Sequence, residues 1–248
     1  TTVYAIDDVG RPGSDGREDV ALACRALAAH GAGDLIWGHV SSRHPSGEGI
    51  WLKQAGWGLE EITPERVHLV NERGDVLAGS GQLHVEYPIH TEILAARPDV
   101  GAVVHIHPRY SVAFAASGQV LRPVSHEANL FGPEPIPRFT DTSDLIVTSD
   151  LGKRLAEVLG GANAVFLINH GIVCVGPDVA TATVTAVLLE RACEVQLLTH
   201  AAGGWPTWTD ESESEAKRQR IYTPTAMLRS WYYLVRTLHD IPSGPLPR

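Results

Sequence analysis

Apolar residues recur along this chain at two spacings, and the spacing changes from segment to segment. In residues 17–30, Val20, Leu22, Ala23, Ala26 and Leu27 fall at helical intervals, and Gly31 follows as a stop. Short apolar runs at 35–41, 49–53, 67–70 and 76–79 are separated by turn residues and predict strands, with a hairpin turn at Asn71-Glu72-Arg73-Gly74-Asp75. Residues 86–96 predict a helix halted by Arg97-Pro98, and 102–107 a strand built on Val103, Val104 and Ile106. Pro108 suits the first turn of a helix through Ala116, which Gly118 would end. Strands follow at 121–125 and 136–139, then a helix at 149–159 capped by Ser149. Strands at 164–169 and 172–175 pivot at His170-Gly171, and a long helix covers 178–200. Residues 211–239 read as mostly helical, with an interruption near Pro224.

Helices and strands thus interleave without a regular βαβ period, which predicts a mixed or antiparallel sheet flanked by helices. No repeat, low-complexity tract or linker divides the 248 residues. A single domain is expected, with a loose Gly-, Asp- and Pro-rich arm at 1–16 and a C-terminal helical extension from about residue 205.

Composition bears more on partners than on fold. Apolar residues make up 44% and charged residues 20%, as in ordinary globular proteins. A net charge of -9 argues against nucleic acid or an anionic membrane as partner, since both need a basic face. No apolar run reaches the length of a membrane span. The three cysteines, Cys24, Cys174 and Cys193, lie in apolar contexts without a Cys-x-x-Cys pair, so free buried thiols are expected. That usage, and a start without a basic-then-apolar signal segment, gives a cytoplasmic expectation. Twelve histidines is a high number and turns attention to metal or acid–base chemistry.

The sharpest local feature is His105-Ile106-His107 at the end of a strand, where residues two apart face the same side. Two imidazoles there are half of a metal site, although an isolated His-x-His is more often a solvent-facing ring beside a packed one. His170 breaks a hydrophobic run at a His-Gly turn, and a buried imidazole needs a partner, either a metal or a carbonyl. Glu86 opens a helix and could serve as cap, ligand or general acid/base.

Glu86-Tyr87-Pro88-Ile89-His90, then His105-Ile106-His107-Pro108, then Asn169-His170-Gly171, in this order, resemble the class II aldolase/adducin family from about residue 17 to 200. In that family a Glu begins the helix in a Ser-Ser-Glu-type motif, a His-x-His pair ends the next strand, and a His-Gly turn gives the third ligand. The resemblance implies a three-layer α/β/α sandwich on a mainly antiparallel sheet and a divalent ion held by His105, His107 and His170. It also implies a homotetramer with active sites between subunits. Zn2+ suits three imidazoles with an open position, and Mn2+, Fe2+ or Co2+ suit a wider set with oxygens added.

Where sugar-phosphate members of the family hold phosphate, this chain departs. Gly38-His39-Val40-Ser41 replaces Gly-Asn-x-Ser, Ala55-Gly56-Trp57 replaces a Ser/Thr-Gly turn, and His84-Val85 replaces Ser-Ser. Phosphate needs clustered N–H and O–H donors, which Val and Ala side chains lack. His39, Ser41, Arg43, Gly56 and Trp57 are therefore read as a substrate-binding set for an aromatic acid, with Arg109 as a further cation and Trp57 along the ring. Glu86, with His84 as second choice, is the expected proton donor. The expected activity is non-oxidative decarboxylation of a hydroxylated aromatic dicarboxylic acid. The alternatives are an aldolase on a non-phosphorylated substrate and a non-catalytic adducin-like module.

Overall fold

The computed structural model describes residues 16–203 and 207–238. Eight strands form one sheet: β1 (His39–Arg43), β2 (Ile50–Lys53), β3 (Val67–Val70), β4 (Val76–Ala78), β5 (Ala102–Ile106), β6 (Arg138–Phe139), β7 (Ala164–Leu167) and β8 (Gly171–Gly176). Their order is β4-β3-β2-β1-β5-β8-β7-β6, and every pairing is antiparallel except β6 with β7. The helices are α1 (Arg17–Leu27), α2 (Tyr87–Ala96), α3 (Arg109–Ser117), α4 (Ser149–Leu159), α5 (Val179–Ala201), α6 (Glu211–Ile221) and α7 (Pro224–Thr237). Strand alternation sends Val40, Val104, Ile172 and Cys174 into a core shared with α1, α3, α5 and α7. Leu52, Val103, Val173 and Val175 enter a second core with α2 and α4. The central strands are buried on both faces, which is why their sequences read as near-continuous apolar runs, and the layers are the α/β/α sandwich expected.

Several boundaries differ from the sequence reading. Residues 35–37 are not strand; Leu35, Ile36 and Trp37 are exposed, because Leu35 (φ 52°) and Gly38 (φ 71°) take left-handed backbone that breaks extension. The strand expected at 121–125 is absent, and the Arg122 N–H donates instead to Gln196 Oε1 of α5. The cap of α4 is Thr148, whose hydroxyl accepts from the Leu151 N–H, and not Ser149. A short 3-10 turn at Glu127–Phe131 was not foreseen. Thr223 and Pro224 separate α6 from α7, and Trp231 of α7 is fully buried in the first core. The three cysteines are free and buried. Among the described residues no helix is long and apolar enough to cross a membrane. The expected arm at 1–16 lies, apart from Gly16, outside the described residues, as does the helix end expected at 239.

Candidate metal centre

One end of the sheet gathers six of the chain's twelve histidines: His39, His84, His90, His105, His107 and His170. His39 at the start of β1 sits directly opposite His105 near the end of β5, and His107 follows one residue past that strand. His170 occupies the tight turn between β7 and β8, where Asn169 takes a left-handed φ of 52°. Gly171 is dictated by crowding: a Cβ there would lie 2.6 Å from His107 Cδ2 and 2.6 Å from the Ile106 carbonyl oxygen. Glu86 stands at the N-cap position of α2 but does not cap it. Its buried carboxylate points into the cluster, with Oε1 accepting from the Ile146 N–H at 2.8 Å.

His105, His107 and His170 bring three nitrogens within 4.8 Å of one another, and an overlapping group of His39, Glu86 and His105 does the same. Glu86 oxygens lie 3.8 Å from the Nε2 atoms of His39, His105 and His170. Two contacts fix tautomers. His105 Nδ1 lies 3.0 Å from the Ile172 carbonyl, and His107 Nδ1 lies 2.9 Å from Asp34 Oδ2. Carbonyl and carboxylate oxygens only accept, so each Nδ1 donates and each neutral ring turns a lone pair out at Nε2. Those two Nε2 atoms face each other at 3.0 Å. Lone pairs do not bond to lone pairs, so the pair calls for a shared cation. Burial holds His105 well below the ordinary imidazole pKa and brings His170 to about 4, so both of these rings offer lone pairs. The donor set fits a divalent ion, with Ile172 and Asp34 orienting two of the rings.

Around this set lie groups the sequence reading did not single out. Lys53, fully buried, donates through Nζ to the carbonyls of Ile36 and Gln54 and lies 3.3 Å from His84 Nε2. An ammonium only donates, so His84 keeps its proton on Nδ1. Burial lowers the Lys53 pKa and, with Lys53 second, brings His84 to about 3. His90, one turn along α2 from Glu86, bridges His39 and Ser41. Burial raises the Glu86 pKa, opposed by the Ile146 N–H. Lys53 at the end of an apolar strand and His90 at i+4 from Glu86 were the available signals; Asp34 had none.

Two of the expected substrate contacts have their polar groups engaged within the chain. Arg43 sits four residues along β1 from His39, roughly 13 Å away at strand rise. Its guanidinium donates to the Leu94, Arg97 and Val100 carbonyls at the end of α2. Ser41 is fully buried with its hydroxyl on His90. Gly56 (φ 82°) and Trp57 lie on the loop after β2, tied to the His84 segment by the Ala55 N–H to Gln82 O bond. The Arg66 guanidinium covers one face of the Trp57 ring at 3.5 Å. Arg109 is exposed at the first turn of α3, two residues past His107. A groove of about 280 Å³ between α5 and α7, lined by Val187, Arg191, Arg229 and Tyr233 among others, contains no member of the cluster.

Residues 18–197 match the Class II Aldolase and Adducin N-terminal domain, and the chain belongs to that family. It is 36% identical over 156 residues to a Streptomyces roseochromogenus protein named 4-hydroxy-3-prenylphenylpyruvate oxygenase/4-hydroxy-3-prenylbenzoate synthase, covering 62% of this chain and 56% of that one. The chain therefore spans little more than half the length of this relative. It is 32% identical over 200 residues to a Terrabacter 3,4-dihydroxyphthalate decarboxylase, covering 76% of this chain and 82% of that protein. An aldolase II superfamily protein from Pseudomonas syringae superposes with a TM-score of 0.83 at 27% identity, over 94% of this chain and 96% of that one.

Proposed function

We propose that this protein is a metal-dependent, non-oxidative decarboxylase of a hydroxylated aromatic dicarboxylic acid, such as a dihydroxyphthalate or hydroxypyridine dicarboxylate. His105, His107 and His170 would hold the ion, and the observation carrying this is the 3.0 Å approach of two lone-pair nitrogens. The substrate class is supported by His39, His84 and Val85 standing where sugar-phosphate aldolases carry small polar donors, and by the relative named for dihydroxyphthalate decarboxylation. When bound, a divalent ion supplies a Lewis acid for negative charge on substrate oxygens.

The chain's own residues supply the proton. Loss of CO2 from a ring carbon leaves an electron pair that a proton must take. Glu86, whose carboxyl is buried and raised in pKa, delivers that proton to the ring carbon while the ring hydroxyl gives its own proton to solvent, leaving a dearomatised ketone. The bond to the carboxylate then breaks, CO2 leaves, the electron pair of that bond restores the aromatic ring, and the ring oxygen and Glu86 take protons from solvent. His84 offers its Nδ1–H to a substrate carboxylate, with Lys53 behind it as the charge. The exposed residues Leu35, Ile36 and Trp37, beside Asp34, are the surface a homotetramer with shared sites would bury. Light scattering at four subunits supports that assembly, and a monomer rejects it.

Release of CO2 from 3,4-dihydroxyphthalate by metal-loaded protein, and none after chelation, is the expected result. No release across several hydroxylated aromatic dicarboxylates would reject the reaction. Membership in an aldolase family favours one second reading, an aldolase on a non-phosphorylated hydroxy-keto or hydroxy-aldehyde substrate. Pyruvate or a hydroxyaldehyde as product, in place of CO2, would establish it.

A further inference from the structure

Behind the cluster a chain of three sealed side chains ends on Glu86. Ser41 Oγ lies 2.7 Å from His90 Nδ1, His90 Nε2 lies 2.6 Å from His39 Nδ1, and His39 Nε2 lies 3.8 Å from Glu86 Oε2. His39 is 1% exposed, and Ser41 and His90 are at 0%. A hydroxyl and a neutral imidazole each donate and accept, so either direction is possible for each bond taken alone. The far end of the chain removes the choice. Among the described residues His90 is the sole hydrogen-bond partner of the Ser41 hydroxyl. If that hydroxyl accepted from His90, its own proton would be left unpaired in a dry site, which is costly. If it donates to His90 Nδ1, nothing is orphaned. His90 then carries its proton on Nε2 and gives it to His39 Nδ1, and His39 carries its proton on Nε2.

We propose that Ser41 and His90 are positioning residues that fix His39 as an Nε2–H tautomer, a neutral donor aimed at the Glu86 carboxylate and not a metal ligand. A ligand needs a lone pair where His39 has a hydrogen. The wire therefore decides between the two overlapping groups around His105, in favour of the one containing His107 and His170. A shift of about 1 Å would bring His39 to hydrogen-bond length from Glu86. Because the donor is uncharged, it orients the carboxylate without adding a cation beside the ion. The tautomer stands on geometry alone; only its effect on turnover rests on the decarboxylase reading.

The test uses full-length protein with 15N-labelled histidine rings, followed by long-range 1H–15N correlation in the metal-free and zinc-loaded forms. His39 and His90 are expected as Nε2–H tautomers in both forms, with zinc moving the ring signals of His105, His107 and His170 only. A proton on His39 Nδ1, or a ligation shift of His39 with zinc, overturns the proposal. Ser41→Ala is expected to leave His39 in mixed tautomers and to lower kcat on the order of tenfold to 10²-fold with KM and zinc stoichiometry kept. Ser41→Thr, which retains the hydroxyl, is expected to restore the single tautomer. Identical His39 spectra in the Ala and Thr variants overturn the role of Ser41. The expected tautomers with no decarboxylation of any acid tried would support the wire and reject only the proposed reaction.

Discussion

Gly171→Ala probes the site without touching a ligand. The added Cβ would meet His107 Cδ2 and the Ile106 carbonyl oxygen, each at 2.6 Å. Carbon contacts settle near 3.5 Å, so about 1 Å must be found. The Ile106 carbonyl belongs to the chain where β5 pairs with β8, and Ile106 is itself paired with Ile172, so the backbone gives way only at the expense of the ladder. The imidazole of His107 is the softer neighbour and would be pushed off its Asp34 bond and away from His105. Overpacking of this size costs about 1–3 kcal/mol of stability. A ligand displaced by about 1 Å from its orienting partner should lose roughly 10–100-fold in metal affinity. Chelator competition gives the zinc affinity, and urea unfolding of the metal-free protein gives the stability. Wild-type zinc affinity in a folded Gly171→Ala variant would refute the claim that His107 Nε2 is a ligand in this geometry.

Asp34→Ala removes the acceptor on His107 Nδ1 and should weaken zinc by roughly 10–100-fold in the same competition assay; unchanged affinity contradicts its orienting role. Glu86→Gln should bind zinc at unchanged stoichiometry while kcat falls on the order of 10²–10⁴-fold, and retained turnover would remove Glu86 from proton transfer. Burial holds His90 at about 3 in the folded chain, below its ordinary 6.5, so the unfolded chain protonates first as pH falls. The stability this gives is complete above about pH 6.5 and is lost progressively toward pH 3, amounting to up to about 2 kcal/mol by pH 5. Urea unfolding of metal-free wild type and His90→Gln across that range should show a smaller acid loss in the variant; equal losses contradict the burial argument.

What the sequence made legible follows from what is local. Doubly buried strands such as β5 and β8 declare themselves as apolar runs, and His105, His107, His170 and Glu86 occur in short motifs. Leu35, Ile36 and Trp37 mislead because an apolar run reads as strand, whereas left-handed backbone at Leu35 and Gly38 turns it into an exposed loop. Residues 121–125 mislead in the same direction for another reason, since a side chain of α5 takes the hydrogen bond a neighbouring strand would have accepted. The orienting partners were out of reach because folding alone brings them together: Asp34 is 73 residues from His107, His90 is 51 from His39, and Lys53 is 31 from His84. Ser41 and Arg43 share a strand face with His39, but alternation says only which side a residue takes, not which partners its polar groups find there.

Anomalous diffraction from crystals of the zinc-loaded protein locates the ion among these histidines. One peak is expected about 2.0–2.1 Å from Nε2 of each of His105, His107 and His170, with His39 unligated. A peak bound by His39, Glu86 and His105 instead, or no peak in zinc-saturated crystals, would contradict that ligand set.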